Sequence, residues 1–194
     1  MPTYSAFVDN NTRDGYSGFF GFNAAANQLY IGSWSSGAGF ELEAFINWVN
    51  VTIPTGATVS SATITTRKVN NGTGTATIIH YCENVDSADD IGDATEFNAL
   101  SFTSGVNESI STVGGANDPW TTVNLATPFG QVLARGGWAS GNNILSVFKH
   151  NGTPTAMNYV EQATLDHPTI TEPQVSITYS VAGAGSPYYA IAQQ

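Results

Sequence analysis

Charge is scarce in this chain, and positive charge is scarcest. Only 10% of its 194 residues are charged, and the cations are Arg13, Arg67, Lys68, Arg135 and Lys149 alone. Ordinary globular chains carry about 25% charged residues. Proteins that grip a nucleic-acid backbone use clusters of Lys and Arg that displace counterions. No such cluster exists here and the formal net charge is −10, so neither DNA nor RNA is an expected partner. An anionic membrane surface is excluded on the same ground. Cysteine is almost missing too. Cys82 alone rules out an intrachain disulfide and a thiolate metal cage, and between Tyr81 and Glu83 it suits a small buried hydrophobe. No apolar run approaches the ~20 residues of a membrane helix. Met1-Pro2-Thr3-Tyr4 opens neither a basic segment nor the apolar core of a secretory signal. The surface chemistry nevertheless suits an extracellular setting, and a product made in a cytoplasm and released by lysis reconciles the two.

What the chain does have is enough apolar material for one core. Hydrophobic residues make up 41%, and Ser, Thr and Asn outnumber the charged residues nearly three to one. Neutral hydrogen-bonding groups therefore solvate most of the surface. Short β-branched and aromatic runs separated by Gly, Asn, Asp and Pro predict strands at residues 3–8, 28–32, 40–53, 59–69, 75–83, 120–125, 142–149 and 173–181. In the third of these, Phe45, Asn47, Val49, Val51 and Ile53 alternate with Ile46, Trp48, Asn50 and Thr52, which predicts one largely apolar face. Pro54 and Gly56 then reverse the chain, and Asn70-Asn71-Gly72 predicts a second, type I′ turn. The last strand is cleanest, with Val175, Ile177, Tyr179 and Val181 inward. One short helix is expected, capped by Thr127, with Pro128 at its first position, Gly136 after its end and Phe129, Val132 and Leu133 as its apolar stripe. Residues 9–26 and 86–115 read as long irregular loops, which in a compact domain usually serve function or contacts.

Several segments together resemble a known family. They are Leu29-Tyr30-Ile31-Gly32, then Phe45-Ile46-Asn47-Trp48 leading into Ile53-Pro54-Thr55-Gly56-Ala57-Thr58-Val59-Ser60-Ser61-Ala62-Thr63-Ile64. The strand opened by Trp120, Gln131-Val132-Leu133, Gly137-Trp138-Ala139-Ser140-Gly141-Asn142 and Pro173-Gln174-Val175-Ser176-Ile177-Thr178-Tyr179 follow in order. The pattern resembles the DNRLRE-type domains, modules found in carbohydrate-binding proteins and in tailed-phage virion proteins. The resemblance implies an all-β jelly-roll β-sandwich. It gives a division into an irregular N-terminal arm and loop at residues 1–28, the sandwich at 29–181 and a C-terminal extension at 182–194. The family's basic outer strands are absent, the first forty residues align little, and no ligand-binding residue carries over.

Catalytic patterns are weak. Gly137 to Gly141 spells G-x-x-S-G, not the G-x-S-x-G of a nucleophile elbow, and fits a turn between helix and strand. His80, His150 and His167 stand singly, without the close spacing of a zinc motif, and no pair of carboxylates is singled out for glycoside hydrolysis. Glu83, Asp86, Asp89, Asp90, Asp93 and Glu96 form the one dense acidic run. Calcium takes several oxygen ligands, so Ca²⁺ could be held between Glu83 and Glu96, but the spacing is not that of an EF-hand and a solvated loop is the commoner outcome. No other cofactor is expected. Aromatics remain. Trp34, Tyr16 and Phe20 sit in loop-like contexts suited to stacking on sugar rings, whereas Phe19, Phe22, Tyr188, Tyr189 and Ile191 suit an interface. Trp48 and Trp138 read as structural.

The expectation from these features is a non-enzymatic bacteriophage virion protein, above all a capsid decoration (cement) protein bound to the outer capsid surface. Its partners would be the major capsid protein and sister subunits, with a homotrimer as one arrangement open to jelly rolls. The alternative is a lectin-like, carbohydrate-binding module, or a tail or fibre component, that attaches to host-surface glycans.

Overall fold

The computed structural model describes residues 1–10, 12–70, 74–111 and 115–182. The strands are β1 (Thr3–Phe7), β2 (Asp14–Gly18), β3 (Gln28–Ser33), β4 (Glu41–Trp48), β5 (Ala57–Asn70), β6 (Thr75–Cys82), β7 (Val106–Ser111), β8 (Pro119–Thr121), β9 (Ile144–His150), β10 (Asn158–Ala163) and β11 (Gln174–Val181). Two helices, α1 (Ala94–Ala99) and α2 (Ala126–Leu133), complete the described elements. The fold is all-β, a jelly-roll sandwich made by one curled antiparallel sheet in the order β1-β11-β5-β10-β3-β4-β9-β6-β7, with β2 added on β4 and β8 on β5. β5 makes the curl. Its first part pairs with β11 from Ala57 to Thr65, while Lys68 and Asn70 pair with β10. One strand thus belongs to both layers.

The main core lies between the layers. Ile31, Ile46, Trp48, Ile64, Ile78, Phe148, Val160, Val175 and Ile177 all bury essentially completely in it. Each such side chain contributes roughly 1.5–3 kcal/mol through its removal from water. Tyr179 and Val181 pack on the same cluster, as their alternation predicts, although a bulge interrupts the register between Thr178 and Tyr179. The Pro54–Gly56 reversal forms as expected, with Gly56 at φ 76° and the Ala57 amide bonded to the Pro54 carbonyl. The Asn70-Asn71-Gly72 turn reaches beyond the described residues.

The single apolar face expected across residues 45–53 is corrected in two ways. The strand stops at Trp48, and Asn50 takes a left-handed φ of 52°, so Val51 and Ile53 enter the main core out of phase with Phe45. Both faces of β4 are buried. Phe45, Leu145 and Val147 turn outward into a second cluster closed by Ala88, Ile91 and Phe97 from the segment after β6. That segment is not simply a loop. Asp93 accepts bonds from the Thr95 and Glu96 amides and so caps α1, which drives Phe97 into the cluster. A second helix thus joins the one expected.

α2 also starts earlier than expected. Its first amide, Ala126, is held by the Asn124 side chain instead of a Thr127 cap, and its end falls at Ala134 before Gly136. Its stripe is as read from the sequence, with Phe129, Val132 and Leu133 buried in the main core. Within residues 1–28 the strand expected at 3–8 forms as β1, paired with β11, and the stretch read as an irregular loop also holds β2, paired with β4. Residues 86–115 likewise contain α1 and β7, and β10 was hidden altogether.

Candidate functional site: an exposed aromatic face

On strands β3 and β10, Leu29, Ile31 and Val160 point into the core, so Tyr30 and Tyr159 point outward. β2 adds Tyr16 on the same side, 4.9 Å from Tyr30 in an edge-on contact. β2 then ends at Gly18, whose φ of 129° and close approach to the Glu41 carbonyl leave no room for a Cβ. The tight turn that follows lifts Phe19 and Phe20 off the sheet, 43% and 39% exposed. Phe20 meets Tyr30 and Trp34, each at 5.0 Å, and Phe19 meets Phe40 at 5.0 Å. Trp34 lies 5.3 Å from Tyr159. Its loop is pinned by the Trp34 amide on the Phe40 carbonyl and the Gly37 amide on the Pro154 carbonyl. Gly32 lets β3 sit tightly against β10, since a Cβ there would lie 2.2 Å from the Asn158 carbonyl. Seven rings thus form one continuous outer surface on a rigid base.

A cleft of about 360 Å³ flanks the rings, lined by Tyr16, Tyr30, Asn23, Asn27, Gln28 and Asp166. The Gln28 amide donates to the Tyr30 hydroxyl at its wall. Another cleft, about 200 Å³, has none of the seven rings in its lining and is bordered by Ser33, Thr75, Thr77, Thr153 and Asn158 among others. Burial, reinforced by the Glu161 carboxylate, pushes the Tyr30 and Tyr159 phenols above their ordinary range, so both remain hydrogen-bond donors at neutral pH.

The structure therefore gathers Trp34, Tyr16, Phe20 and Phe19 and adds Tyr30, Phe40 and Tyr159, which sequence reasoning missed. Alternation around the buried Leu29 and Ile31 was the available signal for Tyr30. Phe22 goes elsewhere, stacked 5.6 Å from Phe45 against the second core, so its ring is committed within the chain. Tyr188, Tyr189 and Ile191 lie outside the described residues.

The acidic run has local duties. Asp86 pairs with Arg135 at 2.6 Å, Asp90 with Arg13 at 3.3 Å, Asp93 caps α1, and Glu96 accepts from the Gly92 amide. Among the described residues no group of three or more His, Cys, Asp or Glu is placed to hold a metal ion. Cys82 is buried and free, its thiol pushed up by desolvation, consistent with a packing role. Trp48 and Trp138 are buried with their indoles bonded to Ser146 and the Ile53 carbonyl.

One polar constellation had no signal in sequence. Glu108 of β7 accepts from the Val123 amide and the Trp120 indole and meets His80 Nε2 at 2.8 Å. With His80 2% and the Glu108 side chain 8% exposed, the group is sealed, and it ties β6 and β7 to β8 in the opposite layer. It is a structural clamp. Compared with known proteins, the chain matches no family model and no curated protein.

Proposed function

We propose that this protein works by adhesion, without catalysis, as a structural component of a tailed-phage particle, and that it is a decoration subunit on the outer capsid surface. The exposed aromatic face carries this reading. A stiff sandwich that leaves Phe19 and Phe20 in water, next to Trp34 and Tyr159, is suited to holding a partner. The charge-poor, Thr-, Ser- and Asn-rich composition supports it, since such a surface resists nonspecific binding to nucleic acid. The DNRLRE-like segments support a virion setting. Each contact would be modest, and repetition over a symmetric lattice would supply avidity. The test is a quantitative mass-spectrometric inventory of purified particles of the phage that encodes the chain. On the order of hundreds of copies is expected for a lattice repeated in this way. A few or a few dozen would move the protein to the tail or fibre, and none would end the virion reading.

A further inference from the structure

We infer that β1 is a docking edge for a second copy of this chain, paired antiparallel with its own β1 across a two-fold axis through Ser5. This edge is separate from the aromatic face, and the pairing holds whatever that face binds. β1 ends the sheet order, with β11 on one side and no strand on the other among the described residues. Its register with β11 runs unbroken from Thr3 opposite Thr178 to Phe7 opposite Gln174. The Val8 amide bonds to the Pro173 carbonyl and the Tyr179 amide to the Pro2 carbonyl, so the even-numbered residues of β1 sit in the hydrogen-bonded pairs. Bonded and non-bonded pairs alternate along an antiparallel ladder. The amides and carbonyls of Thr3, Ser5 and Phe7 therefore point away from β11, along the open edge. Such an edge accepts a further strand through main-chain bonds.

Edges are ordinarily blunted by charge, proline, a bulge or a covering segment. The other edges of this sheet have such protection. β8 is three residues long and opens with Pro119, and β2 is bridged along its free side by Asn23 and Ala25. β7 carries Glu108 and has the Lys68 ammonium on its Ser111 carbonyl. β1, Thr-Tyr-Ser-Ala-Phe, has no charge, no proline and no bulge. The occupant follows from charge and symmetry. The chain carries a net charge of −10, and carboxylates brought against their own copies oppose association. The aromatic face is bordered by them, with Glu161 opposite Tyr30, Glu41 beside Phe40 and Asp166 in the cleft. β1 and the rows beside it are neutral: Thr3, Thr178 and Ser61, then Ser5, Ser176 and Thr63. The first acid after β1, Asp9, is paired with Arg13, and the two-fold axis sets its two copies at opposite ends of the seam. Pairing Ser5 with Ser5 places Thr3 opposite Phe7 and forms about six main-chain bonds. That register lays the Phe7 ring, 48% exposed, over the small Thr3 of the other copy. Large meets small at both ends and hydroxyl meets hydroxyl at the centre, so the edge is complementary to itself.

The test is sedimentation equilibrium of the full chain, with cysteine cross-linking to fix the register. The weight-average mass is expected to rise reversibly from one chain towards two as concentration goes from roughly 1 μM to 1 mM. Ser5→Lys sets two ammonium groups against each other at the axis and should weaken the dimer about tenfold or more, at an unchanged melting temperature in dilute solution. Ser5→Cys should form an intermolecular disulfide under mild oxidation, whereas Ser180→Cys, also exposed but on the neighbouring strand, should not. Cys82 is buried and stays out of the reaction. A chain that is monomeric over that whole range overturns the inference, as does a trimer with no dimer or a dimer that survives Ser5→Lys. Cross-linking at Ser180 in place of Ser5 overturns it too, and so does a dimer lost on Trp34→Ala, which would put the contact on the aromatic face. Copy number in particles does not enter this result. Failure here leaves the virion reading standing, and a dimer from a chain absent from particles defeats only that reading.

Discussion

Asp14 is a carboxyl with no good place for its charge. It is 0% exposed, one oxygen accepts from the Leu165 amide, and the other has no hydrogen-bond partner. Burial, opposed by the Leu165 bond and reinforced by Asp166, pushes it up to about 7 from an ordinary 3.8. Between those values the folded chain keeps a proton that the unfolded chain has released, so this residue makes stability fall as pH rises from about 4 to 7. Asp14→Asn should therefore exceed the parent by up to about 4 kcal/mol at pH 8 and by little at pH 3.5, measured by urea unfolding at both. Glu108 shows the opposite case, a buried acceptor fully used. Glu108→Ala leaves the His80, Trp120 and Val123 donors unpaired and should cost about 3 kcal/mol in the same assay. Neither environment was legible in sequence, because each depends on residues that only the fold brings together: Asp14 meets Leu165, and Glu108 meets His80.

At the level of elements, legibility followed apolar alternation. β5, β6 and β11 bury one face against the main core and could be read from their pattern, and β9, apolar on both faces, from its run of Ile, Leu, Val and Phe. β2, Asp-Gly-Tyr-Ser-Gly, has two glycines and reads as a turn. It is a strand because β4 offers it an edge, which is context and not propensity. β7 and β10 carry too few apolar residues to stand out, and α1 lay within a run read only as acidic. The aromatic site was half legible for the same reason. Loop rings such as Trp34 and Phe20 looked exposed on sight, whereas Tyr30 and Tyr159 become surface residues only once their strands are placed. The second core gives a test at this scale. Phe45→Ala should cost about 3–4 kcal/mol, and it should expose residues 85–102 to limited proteolysis while the main sandwich stays resistant.

Over the whole molecule, the cations are held by contacts within the chain and carboxylates outnumber them three to one, which gives a sequence pI of about 4.3. Solubility should pass through a minimum near that pH, seen as a rise in light scattering that reverses on return to pH 7. The pairing of the first and last strands has a mechanical consequence. β1 and β11 run antiparallel at one end of the sheet order, with Thr3 beside Thr178 and Phe7 beside Gln174. A force applied outward through Met1 and Ala182 would load that pair from a single end. The hydrogen bonds would open in succession, like a zipper, instead of sharing the load in shear. A tether on one end alone would leave this seam unloaded, so the body would withstand being held by one terminus far better than being stretched between two.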